Sequence, residues 1–251
     1  MNRIAVILVP LLLIVGASFT QAEAHSAVQM YATSQENQSI ITEAYSIVVP
    51  PLPSVCCQAA YEIHAGIGSA DNQTLMKTTI SYGCQIAQHK PCMSPYLDRY
   101  VFYLSIINQT SSDRTQVPGG GWVLTPGSNY AVILTQGKPC TAQTYPAWVV
   151  KATNGSSSFS TTVCGSSPLL QGRTFNAAVS GTLEVHNLTS CSQLPPSDGA
   201  TQSSMTLLNS AGQPLPLSWA PKVNPGQPTC GDNLAFTNNS KNVNLIWGSN
   251  P

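Results

Sequence analysis

The chain has 251 residues, of which only 8% are charged, 10 basic against 10 acidic, while 42% are hydrophobic. An ordinary soluble domain carries about 25% charged residues, so this one is polar but nearly uncharged. A net charge of +0 leaves no electrostatic footprint for nucleic acid or for an anionic membrane surface, which excludes those partners.

Met1-Asn2-Arg3 is a short basic start, Ile4 to Val15 is apolar, and Gln21-Ala22-Glu23-Ala24 offers a small-x-small cleavage site. That pattern predicts a signal peptide over 1–24 and a secreted, extracellular product. Its apolar core is shorter than the roughly 20 residues a membrane span needs and contains Pro10. No later stretch is long and apolar enough to span. Residues 25–44 read as a polar lead-in and 45–251 as a single domain. Short β-type runs then follow one another: Tyr45 to Val49, Ala60 to Ile67, Thr74 to Tyr82, Tyr100 to Ile107, Trp122 to Thr125, Tyr130 to Thr135, Ala147 to Ala152, Phe159 to Val163, Thr182 to His186, Met205 to Leu208 and Val243 to Trp247. Pro50-Pro51, Pro118-Gly119, Pro126-Gly127, Pro195-Pro196 and Pro225-Gly226 punctuate them. Tyr100-Val101-Phe102-Tyr103-Leu104 is apolar at both parities, as in a strand buried on both faces. The expected fold is all-β, an antiparallel two-sheet β-sandwich stabilised by disulfides.

All 8 cysteines lie beyond the expected cleavage site, and an even count in an exported chain predicts bridges, four of them. Connectivity is open: adjacent Cys56 and Cys57 serve different partners, and Cys84 to Cys92 closes a local loop. There is no C-x-x-C, and His25, His64, His89 and His186 stand singly, so no metal and no cofactor is expected. Sequons at Asn37, Asn72, Asn108, Asn154, Asn187 and Asn238 are glycosylation acceptors in a eukaryotic exported chain, although a composition rich in Asn, Ser and Thr also yields such matches by chance. Few ionisable groups predict a stability that depends weakly on pH. The nucleophile elbow, the zinc-peptidase helix, the P-loop and the dinucleotide fingerprint are all absent from the sequence.

A series of segments nevertheless follows a familiar order. Ala60-Tyr61-Glu62-Ile63-His64-Ala65-Gly66-Ile67-Gly68 precedes Thr74-Leu75-Met76-Lys77-Thr78-Thr79-Ile80-Ser81-Tyr82-Gly83-Cys84. Tyr96 to Tyr103, Leu124 to Val132, Val149 to Phe159, Ser180-Gly181-Thr182-Leu183-Glu184-Val185-His186 and Leu194-Pro195 come after. Taken together they resemble the fungal-type glutamic endopeptidases, the eqolisins. The resemblance implies a sandwich of two large antiparallel sheets of the concanavalin/eqolisin kind. It also implies a glutamate as general base on the attacking water and a glutamine amide donating to the oxyanion across a concave sheet. Here Lys77 stands at the glutamine position and Thr182 at the glutamate position; His64 replaces a tryptophan and Val101 an acidic residue. Lys77 can still donate a charge-assisted hydrogen bond. Glu184, two residues beyond Thr182, projects from the same face of a strand.

Lys77 and Glu184 are therefore the candidate catalytic pair, and His64, Tyr100, Phe102, Thr182 and His186 the candidate binding residues, with Tyr61, Tyr103 and Trp122 as further groove aromatics. Taken singly, Lys77 reads as a solvated strand residue, and Glu184 with His186 as exposed polar alternation. The leading expectation is a peptidase-like protein that has lost catalysis and binds an extracellular polypeptide or carbohydrate. An active acid endopeptidase with a remodelled site and an unrelated secreted adhesion sandwich are the alternatives. A Lys77 to Glu184 separation within about 8 Å in one groove, enough for a bridging water and a peptide carbonyl, would make a remodelled hydrolase the leading reading, whereas side chains facing solvent or opposite layers would rule catalysis out.

Overall fold

The computed structural model describes residues 26–54, 60–83, 99–111, 114–116, 121–155, 157–186, 188–196, 199–223 and 230–248. In chain order the strands are β1 (Ser26–Gln35), β2 (Ile40–Val48), β3 (Ala60–Ser69), β4 (Thr74–Tyr82), β5 (Tyr100–Asn108), β6 (Arg114–Gln116), β7 (Trp122–Leu124), β8 (Asn129–Pro139), β9 (Pro146–Asn154), β10 (Ser157–Val163), β11 (Phe175–His186), β12 (Gly199–Asn209), β13 (Ala220–Val223), β14 (Asn233–Thr237) and β15 (Asn242–Ile246). One short 3₁₀ turn, Cys191–Gln193, lies between β11 and β12. No helix among the described residues is long and apolar enough to cross a membrane.

The strands form two antiparallel sheets packed as a sandwich. The first has the order β13-β1-β11-β3-β4-β5-β6, with β7 also on the edge of β5; the second runs β10-β9-β8-β2-β12-β15-β14. Alternation selects the layer between them. Tyr61, Ile63 and Ile67 of β3, Met76, Ile80 and Tyr82 of β4, and Tyr100, Phe102 and Leu104 of β5 meet Tyr45, Val132, Trp148, Val150 and Leu245 from the second sheet. A side chain buried as completely as Phe102 contributes on the order of 2–3 kcal/mol. The first seven residues of β5 are buried at both parities, as its uninterrupted apolar run required.

One expectation needs correction. The stretch 25–44 is not a lead-in, because from Ser26 onward it supplies β1 and the first half of β2. β1 pairs with β11 on one side and β13 on the other. From residue 30 onward its buried positions are Met30, Ala32 and Ser34, one large, one small and one polar, a mixture that does not announce a strand. The expected strand Met205 to Leu208 is the later part of the eleven-residue β12. Of the expected bridges, Cys140–Cys164 and Cys191–Cys230 are present. Cys56, Cys57, Cys84 and Cys92, and with them the Cys84 to Cys92 loop, lie outside the described residues.

One irregularity sets up the outer face of the first sheet. In β11 the pairing with β3 passes from Val179↔Gly66 to Thr182↔His64, a bulge at Ser180-Gly181. Ala178 points into the core before it, and Leu183 and Val185 after it, so the extra residue flips the parity. Thr182, Glu184 and His186 consequently face outward. Gly181 sits at φ +60. A Cβ there would lie 2.6 Å from Val243 Cγ1, so the bulge has room only for glycine. Gln202 of the opposite sheet secures it, its Oε1 accepting from Gly181 N at 2.7 Å and Ser180 Oγ at 2.6 Å.

Glu43 of β2 is the exception in the core. It is 1% exposed. The Gly66 amide faces its carboxyl, but no donor reaches hydrogen-bond geometry with either oxygen. Burial pushes its pKa from 4.5 up to about 8. This single group gives folding a pH dependence that the small number of ionisable residues does not reveal.

Candidate functional site

The outer face of the first sheet carries the residues that alternate with the core. From β3 come Glu62 and His64, from β4 Lys77, Thr79 and Ser81, from β5 Tyr103 and Ser105, and from β11 Thr182, Glu184 and His186. Register aligns them: Glu184, Glu62 and Ser81 form one row, and Thr182, His64, Thr79 and Tyr103 the next. The Lys77 ammonium crosses β3 to donate to Glu184 Oε2 at 3.3 Å and lies 3.9 Å from Glu62 Oε2. Its partner across the ladder is Gly66, which has no side chain to obstruct that path. A Cβ at Gly66 would stand 2.0 Å from the Met76 carbonyl oxygen, so this close approach of backbones excludes any larger residue.

Glu62 is wholly buried, and the Tyr103 hydroxyl donates to its Oε1. His186 Nε2 lies 3.5 Å from Glu184 Oε1. The result is a chain of contacts, Tyr103 to Glu62 to Lys77 to Glu184 to His186. Exposure falls off along it: the side chains of Glu184 and His186 keep 14% and 15%, that of Lys77 5% and that of Glu62 none. The hydroxyls of Thr79, Ser81 and Thr182 line the same face, buried and without a hydrogen-bond partner among the described residues. Glu62, Glu184 and His186 place three possible metal-ligand atoms within 4.8 Å of one another. The Lys77 ammonium beside both carboxylates already supplies the positive charge such a cluster would recruit.

Of the residues singled out in the sequence, Lys77, Glu184 and His186 come together in one cluster, and His64 and Thr182 occupy the adjoining row. Tyr100 and Phe102 do not join them. Both have no exposure and pack in the layer between the sheets, Tyr100 edge-on to Tyr61 and tilted against Tyr82, and Phe102 edge-on to Phe159. Tyr61 is turned inward with them, and Trp122 packs against Tyr130 and Phe159. Lys77 is not solvated, as a lone strand lysine would be. Sequence reasoning missed Glu62, although a signal was present: in β3 Glu62 and His64 share a parity against Tyr61, Ile63 and Ile67.

A concavity of the described surface lies elsewhere. The β2 to β12 ladder ends at Ile47↔Gln202, and Pro50-Pro51 cannot extend it, so the strands part. Between them opens a cleft of about 490 Å3, lined by Val48, Val49, Pro51, Ala200, Leu245 and Ile246 among others. Val48 and Ile246 are 52% and 36% exposed at its rim.

The chain matches no protein-family model and no curated protein. Solved structures do match. SCP-B, a member of the eqolisin family of peptidases in complex with the tripeptide Ala-Ile-His, superposes with a TM-score of 0.53 at 10% identity, covering 89% of this chain and 100% of that one. Scytalido-glutamic peptidase with a peptide-based transition-state analogue matches to the same extent. At that identity the likeness is one of fold: this protein is a β-sandwich of the eqolisin-peptidase type.

Proposed function

We propose that the protein is a secreted, non-catalytic member of the glutamic-peptidase-like sandwiches that binds an extended polypeptide. The observation that carries the loss of catalysis is the position of Lys77, its side chain 5% exposed between Glu62 and Glu184. An oxyanion donor must have its protons free to meet a substrate oxygen, and a general base must have a lone pair ready for water. Here the donor is engaged by two carboxylates and the base by an ammonium. At 3.3 Å the pair leaves no room for a water and a peptide carbonyl between them, and removing Lys77 would leave Glu62 buried without its cation, so the cluster acts as a structural lock in place of a reactive dyad.

Polypeptide is the favoured ligand because the solved proteins of this fold carry peptides. The open cleft is apolar and flanked by parted strands, which suits an extended backbone with hydrophobic side chains. Incubation with denatured casein from pH 2 to 7 is expected to yield no cleavage, and the same preparation is expected to retain casein peptides on an affinity support. Val48→Asp, which charges the cleft rim, should release them. Cleavage that disappears in Glu184→Gln would overturn the proposal in favour of an acid endopeptidase, the reading supported by the residual exposure of Glu184 and His186.

A further inference from the structure

Asparagine is used in two different ways in this fold. Asn176 of β11 has its Oδ1 buried, Asn209 is 6% exposed and holds the turn after β12 through Ala211 N and Gln213 N, and Asn244 lies within β15, bonded to Thr201. None of these is followed at the second position by Ser or Thr. Asn129, Asn233 and Asn239, also outside sequons, are exposed, and none of the described sequon asparagines is buried. Asn37 is exposed in the β1–β2 connection, Asn72 is exposed at φ +56 in the β3–β4 turn, and Asn238 is exposed in the β14–β15 turn. Asn108 and Asn154 are half-buried final residues of β5 and β9. Strands occupy most of the described chain, yet no described sequon asparagine lies in the interior of one, whereas Asn244 does.

Their placement is also uneven. Gln35 pairs with Ala177, Phe175 with Ser69, and Thr74 with Asn108, so the ends of β1, β3 and β5 lie together. Asn37, Asn72 and Asn108 therefore crowd one end of the sandwich. The cleft lies at the other end, where Val48, Gly127 and Gly199 stand, and of the described sequon asparagines only Asn154, next to the Thr153 that pairs with Ala131, lies toward it. At Asn108 the side-chain Oδ1 already accepts from the Thr110 hydroxyl at 2.5 Å and the Thr110 amide at 3.0 Å, which turns the carboxamide nitrogen away from the backbone.

We infer that Asn37, Asn72 and Asn108 carry N-linked glycans, which sheathe the end of the molecule opposite the cleft. In the transfer, the Asn Nδ2 attacks the anomeric carbon of a lipid-diphosphate-linked oligosaccharide. An N–C bond forms, the C–O bond to the diphosphate breaks, and the nitrogen loses one proton. Bulky, hydrated groups on this end add the solubility that a surface with so few charges lacks. The inference rests on export of the chain, and the experiment separates the two.

The protein is recovered from the culture medium of its source and treated with peptide-N-glycosidase in heavy-oxygen water. The tryptic peptides spanning Asn37, Asn72 and Asn108 are expected to carry labelled Asp at those positions. Asn37→Gln, Asn72→Gln and Asn108→Gln should each remove one step from the mass lost on deglycosylation. Protein present in the medium with unmodified asparagines at all three positions would overturn the glycosylation while leaving export intact. Protein found only inside the cells and unmodified would overturn both.

Discussion

Glu62 and Glu43 are both carboxyl groups at the centre of a sheet, both shut away from water, and they are handled in opposite ways. Glu62 looks out from the first sheet onto an ammonium and a phenol, in a row of side chains that share its polarity. Glu43 looks in, from the second sheet, onto apolar side chains and one misaligned backbone amide. The first is buried with its countercharge; the second is buried alone, and its pKa rises to about 8. The two faces of a sheet thus present different solvents, and burial by itself does not determine a carboxyl group's state.

The sharpest way to break that comparison is pH. Because the folded pKa of Glu43 lies above its unfolded value, the fold holds a proton that the unfolded chain releases, so its contribution is complete below about pH 4.5 and is lost as pH rises to about 8. A rise from 4.5 to about 8, at about 1.4 kcal/mol per pH unit, amounts to a loss on the order of 5 kcal/mol. Guanidinium unfolding at intervals from pH 4 to 9 is expected to show this decline, and Glu43→Gln should flatten it. An equally steep curve in that variant would assign the dependence to other groups.

Lys77→Met tests the opposite environment, since it leaves Glu62 buried without a cation. Stability at neutral pH should fall by about 3–5 kcal/mol. Adding Glu62→Gln should restore much of the loss, and a double variant no better than the single one would mean that the two groups are not coupled. Tyr103→Phe removes one donor to the same carboxylate and should cost about 1.5–3 kcal/mol by the same unfolding assay. Glu184→Gln is expected to change stability by at most about 1 kcal/mol, because this partner keeps contact with water. If it costs as much as Lys77→Met, the charge balance of the cluster resides at Glu184 and not at Glu62.

These contrasts also show where a reading of the chain succeeds. Thr74 to Tyr82 was legible to the residue, because Met76, Thr78, Ile80 and Tyr82 alternate without interruption against Lys77, Thr79 and Ser81. Only the last five residues of β11 were legible. Its first half lies before the Ser180-Gly181 bulge, where the inward parity is the other one, so the two halves cancel as a pattern. β1 escaped notice because its buried positions mix Met30 with Ala32 and Ser34, and its pairing with β11 and β13 is a long-range event that leaves no local mark.

Within the site, strand parity placed Thr182, Glu184 and His186 on one face, but Tyr100 and Phe102 show the limit of that reasoning. Alternation distinguishes one face from the other and does not say which is the core when both are apolar. That choice belongs to the second sheet, which packs against one side only. What the sequence by itself determined was an uncharged, cysteine-bearing, strand-and-turn chain and the identity of the ionisable groups on each strand, since these depend on composition and a period of two. Tertiary structure alone decided that Lys77 reaches over Gly66 to two carboxylates and that Glu43 meets none. Distances between strands far apart in the chain are set by register and a single bulge, neither of which is encoded at one position.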